Sequence, residues 1–250
     1  MKKIFVVLCC LFMLLIPRVK ASTSSASSYI LMDETTGRVL LSKDMHSKRL
    51  IASITKIMTA TIAIESGKLD DIVTVDESVL KAYGSGIYIE VGEEIKLKDL
   101  VYGLMLRSGN DAAMMISEYI GGTTEEFVNM MNNKAKEIGM KETTFYNPSG
   151  LPTPSGNYSS VYDMALLTKY AMNSPVYQEI VKTKTYKVTT NKKTYLWHNK
   201  NKLLKYDYIT GGKTGYTEES GRTLVSTADI DNMKLIVVTI RDSDDWNTHI

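Results

Sequence analysis

The sequence is poor in the residues from which most reactive sites are built. Of its 250 residues, two are cysteine and three are histidine. Both cysteines, Cys9 and Cys10, fall inside an apolar N-terminal run. A chain cut behind that run carries no thiol, which excludes cysteine catalysis, Cys-ligated zinc and disulfides. His46, His198 and His249 are not neighbours in sequence, so no clustered histidine metal site is expected. No serine sits in a G-x-S-x-G turn. Neither a metal nor a cofactor is expected.

A hydrophobic run long enough to span a bilayer is also missing. Ile4–Ile16 is 13 residues long, against about 20 for a crossing. Lys2 and Lys3 precede it, and Val19 and Ala21 occupy the small-residue positions read by a signal peptidase. Residues 1–21 are therefore expected to be a cleaved export signal, and no membrane anchor is expected in the chain. Cleavage removes Lys2, Lys3, Arg18 and Lys20 and no acid, which turns the formal charge from +2 to −2. Nothing points to nucleic acid. Removing 21 of 250 residues leaves 229, enough for one large core, and residues 22–250 are expected to form one domain with an inserted lobe.

The patterning changes twice along the chain. Tyr29–Asp33 and Arg38–Lys43 flank a turn and predict a hairpin. An apolar helix is predicted from Ala52 to about Glu65, and residues 69–175 are predicted mostly helical. Leu97–Leu106, Asp111–Ile120 and Thr124–Ile138 carry the 3.6-residue period, and Gly139 marks a helix stop. Thr143–Tyr158 predicts a long loop. The period then becomes two: Thr185–Thr190 and Thr194–His198 predict a second hairpin. Ile209–Gly215, Arg222–Thr227 and Leu235–Ile240 predict three more strands. Strands, helices, then strands predict an α/β (α+β) fold. Both chain ends would build an antiparallel sheet lobe around an inserted all-helical lobe.

The chemistry rests on short motifs. Ser53-x-x-Lys56 at a helix start puts a hydroxyl and an amine on one face, near backbone N–H groups that favour an oxyanion. Alone it is a weak signal, since Ser78-x-x-Lys81 matches too. Ser108-Gly109-Asn110 lies between two apolar helices, and its double Ser155-Gly156-Asn157 lies in the polar loop. Lys213-Thr214-Gly215 has no double and occupies a predicted strand. The ordered set S-x-x-K, S-x-N, K-T-G, each in a suitable context, is a strong signal, although Gly109 replaces the Asp of the S-D-N form.

On these motifs, with Thr144–Leu151, Tyr158–Ala165 and Lys213–Thr217, the chain from about Tyr29 to Arg241 resembles the serine-type D-alanyl-D-alanine carboxypeptidases, low-molecular-mass penicillin-binding proteins of the β-lactamase/transpeptidase-like superfamily. The resemblance implies removal of the terminal D-alanine from peptidoglycan stem peptides on the cell-wall side of the membrane. It also implies β-lactam antibiotics as covalent inhibitors. It assigns Ser53 as nucleophile, Lys56 as base and Ser108 as proton relay. Asn110, Lys213, Thr214, Gly215 and Tyr216 bind substrate, with the N–H groups of Ser53 and Tyr216 forming the oxyanion hole.

Other outcomes carry the same motifs. A β-lactamase would need a loop glutamate paired with an asparagine, and residues 141–163 contain only Glu142 without that pattern. A DD-endopeptidase would use the same groups. An inactive truncated form that only binds cell wall is the third alternative. The family usually continues with a helix packed on the sheet, and that helix is expected to be missing here. Arg241 is the candidate substitute for an arginine that the family carries before it. His198 is a candidate cleft-lining residue. Met114-Met115 and the pair Tyr195 and Trp197 are read as packing.

Overall fold

The computed structural model describes residues 24–152 and 155–250. The predicted export signal, residues 1–21, lies outside the described residues. The chain opens with β1 (Ser28–Asp33), β2 (Val39–Lys43) and the short β3 (Arg49–Leu50). A 3-10 turn, Ala52–Thr55, runs directly into α1 (Lys56–Glu65). Next come β4 (Ile72–Thr74), a second 3-10 turn at Glu77–Lys81, and β5 (Glu94–Lys96). Three helices follow: α2 (Leu97–Arg107), α3 (Asn110–Gly121) and α4 (Thr124–Ile138). The short β6 (Tyr158–Ser159) leads to α5 (Val161–Ala171) and α6 (Pro175–Lys182). The chain closes with β7 (Thr185–Thr189), β8 (Thr194–His198), β9 (Ile209–Thr217), β10 (Gly221–Ile230), β11 (Met233–Ile240) and the single turn α7 (Asp245–Thr248).

The central sheet has the order β2-β1-β11-β10-β9 and is antiparallel throughout. Both chain ends build it, because β1 lies between β2 and the last strand, with Ile30 opposite Val238. Alternation drives the packing. Ile30 and Met32 of β1 and Ile236, Val238 and Ile240 of β11 turn the same way into the main core. Both faces of β10 are covered: Val225 joins that core, while Leu224 packs with Leu203, Leu204 and Ile209 in a second cluster. On the core side, α5 lies across β1 and β11, and α6 lies on β9.

Helix α1 is buried on every side from Lys56 to Ala63, with its polar residues Lys56, Thr59 and Thr61 each hydrogen-bonded. Ile57, Met58, Ala60, Ile62 and Ala63 are all buried, each large side chain contributing about 1.5–3 kcal/mol. Local signals set the helix ends. Thr123 and Ser160 accept from the N–H groups of Glu126 and Asp163, which satisfies donors that the helix leaves unpaired. Pro175 follows the Ser174 cap, and Gly139 closes α4.

One expectation needs correcting. Residues 69–96 contain no α-helix: β4 and β5 pair with each other, Glu77–Lys81 makes a single 3-10 turn, and residues 82–93 run as an irregular segment. The reason is local, because Tyr83-Gly84-Ser85-Gly86 and Gly92 interrupt any 3.6-residue period. Helix α6 (Pro175–Lys182) is unexpected, and the other long elements lie within a few residues of their predicted spans.

Candidate active site

Ser53 stands in the 3-10 turn ahead of α1, at the seam between the sheet and the helices. Its predecessor Ala52 has φ of 48°, a left-handed conformation costly for a residue with a Cβ. The neighbours hold it there. Ile51 donates its N–H to the Asn157 carbonyl at 3.2 Å. The Thr223 hydroxyl of β10 donates to the Ile51 carbonyl at 3.1 Å. One helical turn on, Lys56 is completely buried.

Ser108, Gly109 and Asn110 make the sharp reversal between α2 and α3. Ser108 ends α2 with φ of 62°, and Asn110 begins α3. Gly109 explains the departure from S-D-N. A Cβ there would stand 2.8 Å from Asp111 Oδ1 and 3.2 Å from an Ile87 methyl, so this reversal has no space for a side chain. Strand β9 brings Lys213, Thr214, Gly215 and Tyr216. It runs so close to the Ser53 turn that a Cβ on Gly215 would lie 2.9 Å from the Ser53 nitrogen.

These segments meet in one buried network. The Lys56 amine lies 3.0 Å from Ser53 Oγ and 2.8 Å from Asn110 Oδ1, and it also bonds the Ser149 carbonyl. Asn110 Nδ2 donates to the Tyr83 carbonyl at 2.6 Å, so its oxygen must face Lys56. The Lys213 amine donates to Ser108 Oγ at 3.1 Å and to the Thr214 carbonyl at 2.6 Å.

Burial dominates the electrostatics. It pushes Lys56 well below the usual lysine range, with the ammonium groups of Lys213 and Lys200 adding to the effect and Asp111 opposing it. Lys213 is lowered to about 7 by burial and then by Lys200. Lysines held below their usual range in this way are suited to accepting and passing on protons.

The cleft above this network has a volume of about 480 Å³. Ser53, Ser108, Thr214, Gly215 and Tyr216 line it, so five of the eight sequence-predicted residues face it directly. Lys56, Asn110 and Lys213 are buried at 6 % exposure or less and act from beneath. Ser85, Lys200, Arg222, Asp245 and Trp246 complete the lining, and motif reading missed all of them. Lys200 and Ser85 belong to polar loops with no distinguishing signal. Arg222 had one, since it opens the strand after K-T-G, where it pairs with Tyr216. Arg241 is exposed and packs near Gly221, outside the cleft lining. His198 stays on the β7–β8 hairpin, 3.1 Å from the Thr185 hydroxyl.

The duplicate motifs have other roles. Ser78 Oγ contacts the Met115 sulfur at 3.7 Å, and Lys81 is exposed. Asn157 is a buried strut: its amide donates to Thr55 Oγ1 and to the Asn147 carbonyl at 3.0 and 2.8 Å. Met115 is buried, and Tyr195 and Trp197 pack ring to ring at 5.1 Å. Among the described residues no cluster of His, Cys, Asp and Glu is arranged to hold a metal, and no helix is long and apolar enough to cross a membrane.

The sequence model of the D-alanyl-D-alanine carboxypeptidases matches residues 17–244. D-alanyl-D-alanine carboxypeptidase DacF of Bacillus subtilis is 42% identical over 224 residues, covering 85% of this chain and 56% of that protein. DacD of Escherichia coli is 34% identical over 233 residues, covering 88% and 58%. The chain thus spans little more than half the length of these curated relatives. Among solved structures, a D-alanyl-D-alanine carboxypeptidase from Mycobacterium tuberculosis superposes with a TM-score of 0.86 at 28% identity, covering 90% of this chain and 86% of that one.

Proposed function

Because the chain belongs to the D-alanyl-D-alanine carboxypeptidase family, we propose that it is a serine hydrolase that removes the terminal D-alanine from peptidoglycan stem peptides through an acyl-enzyme on Ser53. The observation that carries this reading is the set of partners around the Lys56 amine. A neutral amine has two N–H donors and one lone pair. Asn110 Oδ1 and the Ser149 carbonyl take the two donors, which leaves the lone pair for the Ser53 proton 3.0 Å away.

Ser53 Oγ attacks the carbonyl of the D-Ala–D-Ala bond as its proton passes to Lys56. The oxyanion is received by the N–H groups of Ser53 and Tyr216, each donor of this kind being worth about 10²–10³ in rate. The Lys56 ammonium returns the Ser53 proton through Ser108 to the departing amine, which leaves Lys56 neutral again, while the Lys213 amine holds the Ser108 hydroxyl at 3.1 Å. Water then attacks the acyl-enzyme, with Lys56 as base, and releases the shortened peptide. Asn110, Thr214, Gly215 and Tyr216 align the peptide along β9, and Lys213 supplies positive charge for its carboxylate. β-Lactams enter the same first step and stay bound, since the cleft lining, among the described residues, contains no glutamate for deacylation. The same proposal has the chain exported by residues 1–21 and working on the cell-wall side of the membrane.

The test uses a peptide ending in D-Ala–D-Ala. Release of one free D-alanine per peptide, with a penicilloyl adduct mapped to Ser53, is expected. Cleavage of cross-linked dimers without D-alanine release would make it an endopeptidase, and rapid penicillin turnover a β-lactamase.

A further inference from the structure

Asp111 is buried at 5 % exposure directly beside Asn110, and no step above uses it. Its carboxylate accepts only from backbone N–H groups. Oδ1 takes Ala112 at 2.8 Å, Oδ2 takes Tyr88 at 2.6 Å, and both oxygens take Ile87 at 3.0 Å. Two of these donors belong to the irregular segment 82–89, which has no helix or strand partner of its own. Two glycines keep the carboxylate close. A Cβ on Gly86 would stand 3.0 Å from Oδ2, and one on Gly109 would stand 2.8 Å from Oδ1. The segment held in this way supplies the Tyr83 carbonyl that orients the Asn110 amide, and the Asn110 N–H returns a bond to the Ser85 carbonyl at 2.7 Å.

We infer that Asp111 is a positioning residue for the acylation step, tying segment 83–88 to α3 so that Asn110 Oδ1 faces Lys56 and setting a buried negative charge against the site's cations. This role rests on those proposed for Ser53 and Lys56. A carboxylate that only stabilised the fold could sit anywhere along α3. This one anchors the loop that fixes the amide and stands next to it in sequence.

The charged groups around Lys56 are few. Lys213 acts from β9 and Lys200 from the segment after β8, and both favour the neutral amine. Asp111 acts from α3 and favours the ammonium. Loop 147–150 contributes neutral partners only. Removing the Asp111 charge therefore favours the neutral amine further. The acid limb of the acylation profile, which reports deprotonation of the base, must move to lower pH. Loosening the amide must lower the plateau, since small displacements of a positioned group are costly in rate.

The experiment measures the acylation rate with fluorescent penicillin from pH 5 to 9 for the full chain, Asp111→Asn and Asp111→Glu. For Asp111→Asn, an acid limb displaced downward by about half a pH unit or more and a plateau reduced roughly tenfold are expected. Asp111→Glu keeps the charge, so its limb should stay with the parent while its plateau falls. A lowered plateau with an unmoved limb in Asp111→Asn would make Asp111 merely structural and overturn the inference, as would an unchanged profile. Should Asp111→Asn not fold, Gly86→Ala, which crowds the same Oδ2 but keeps the charge, should behave as Asp111→Glu, with an unmoved limb and a lowered plateau, and an unchanged plateau would overturn the inference. Failure of the parent chain to label at Ser53 would instead overturn the reading beneath it.

Discussion

The Lys213 amine, from the sheet, lies 3.1 Å from the Ser108 hydroxyl, at the end of a helix 105 residues earlier. This bond joins the two lobes at the floor of the cleft, and its donor is a buried lysine lowered to about 7. The contact that holds the proposed relay hydroxyl is thus also one at which folding and titration are linked.

That linkage has a sign. Between about pH 7 and 10.5 the unfolded chain holds the Lys213 proton that the folded chain has released, so stability rises with pH across this window. At about 1.4 kcal/mol per pH unit, raising the pH from 7 to 9 should add about 2 kcal/mol through this residue. Urea unfolding at both pH values should show a smaller gain in Lys213→Met than in the parent. Equal gains would show that Lys213 is protonated in the fold.

Ser53→Ala should abolish covalent penicillin labelling, whereas Ser78→Ala should leave it intact, because Ser78 contacts a core methionine and its Lys81 is exposed. Mass spectrometry of the adduct decides this. A penicilloyl group on any residue but Ser53 refutes the assignment.

Lys56→Ala should slow acylation by about 10²–10⁴, the usual contribution of a positioned base. Stopped-flow measurement with a chromogenic cephalosporin gives the rate. A near-parental rate would mean that another group accepts the Ser53 proton.

Gly215→Ala tests the close approach of strand and nucleophile. Its Cβ would lie 2.4 Å from Thr223 Oγ1 and 2.9 Å from the Ser53 nitrogen. Either β9 or the Ser53 turn must move, displacing the Ser53 and Tyr216 N–H groups relative to each other. Acylation should fall at least tenfold, more steeply than the melting temperature. Unchanged acylation in a folded variant would show that the oxyanion site tolerates the displacement.

His249 is buried between the hydroxyls of Ser226 and Thr239, at 2.8 and 3.0 Å, and burial lowers it to about 3. The unfolded chain takes up this proton near pH 6.5 and the folded chain only near 3. Stability should therefore fall as the pH drops between these values, by up to about 1.4 kcal/mol per pH unit. In His249→Leu that part of the slope should vanish. Chemical denaturation at pH 6.5 and 4.5 measures it.

Much of this protein is legible along the chain. The apolar richness of α1 and the alternation of Ile30 and Met32 can be read locally, because a helix in the middle of the fold carries apolar residues on all its faces and burial along a strand repeats every two residues. Ser53 and Lys56 could be paired on paper because three residues bring a helix back to the same face. The glycines around Tyr83 exclude a helix, but which carbonyl the segment presents could not be read, since that is set by a carboxylate and an amide on another element. The Ser149 carbonyl beside Lys56 leaves no sequence signal, since every residue has a carbonyl. Arg222 has a signal in its place after K-T-G, but its entry into the cleft depends on strand register, and the lowered lysines depend on burial and on neighbouring charges. Residue types and local periods belong to the sequence. Which backbone atom, which charge and which distance face Ser53 belong to tertiary packing, because groups about a hundred residues apart meet only when the sheet closes against the helices.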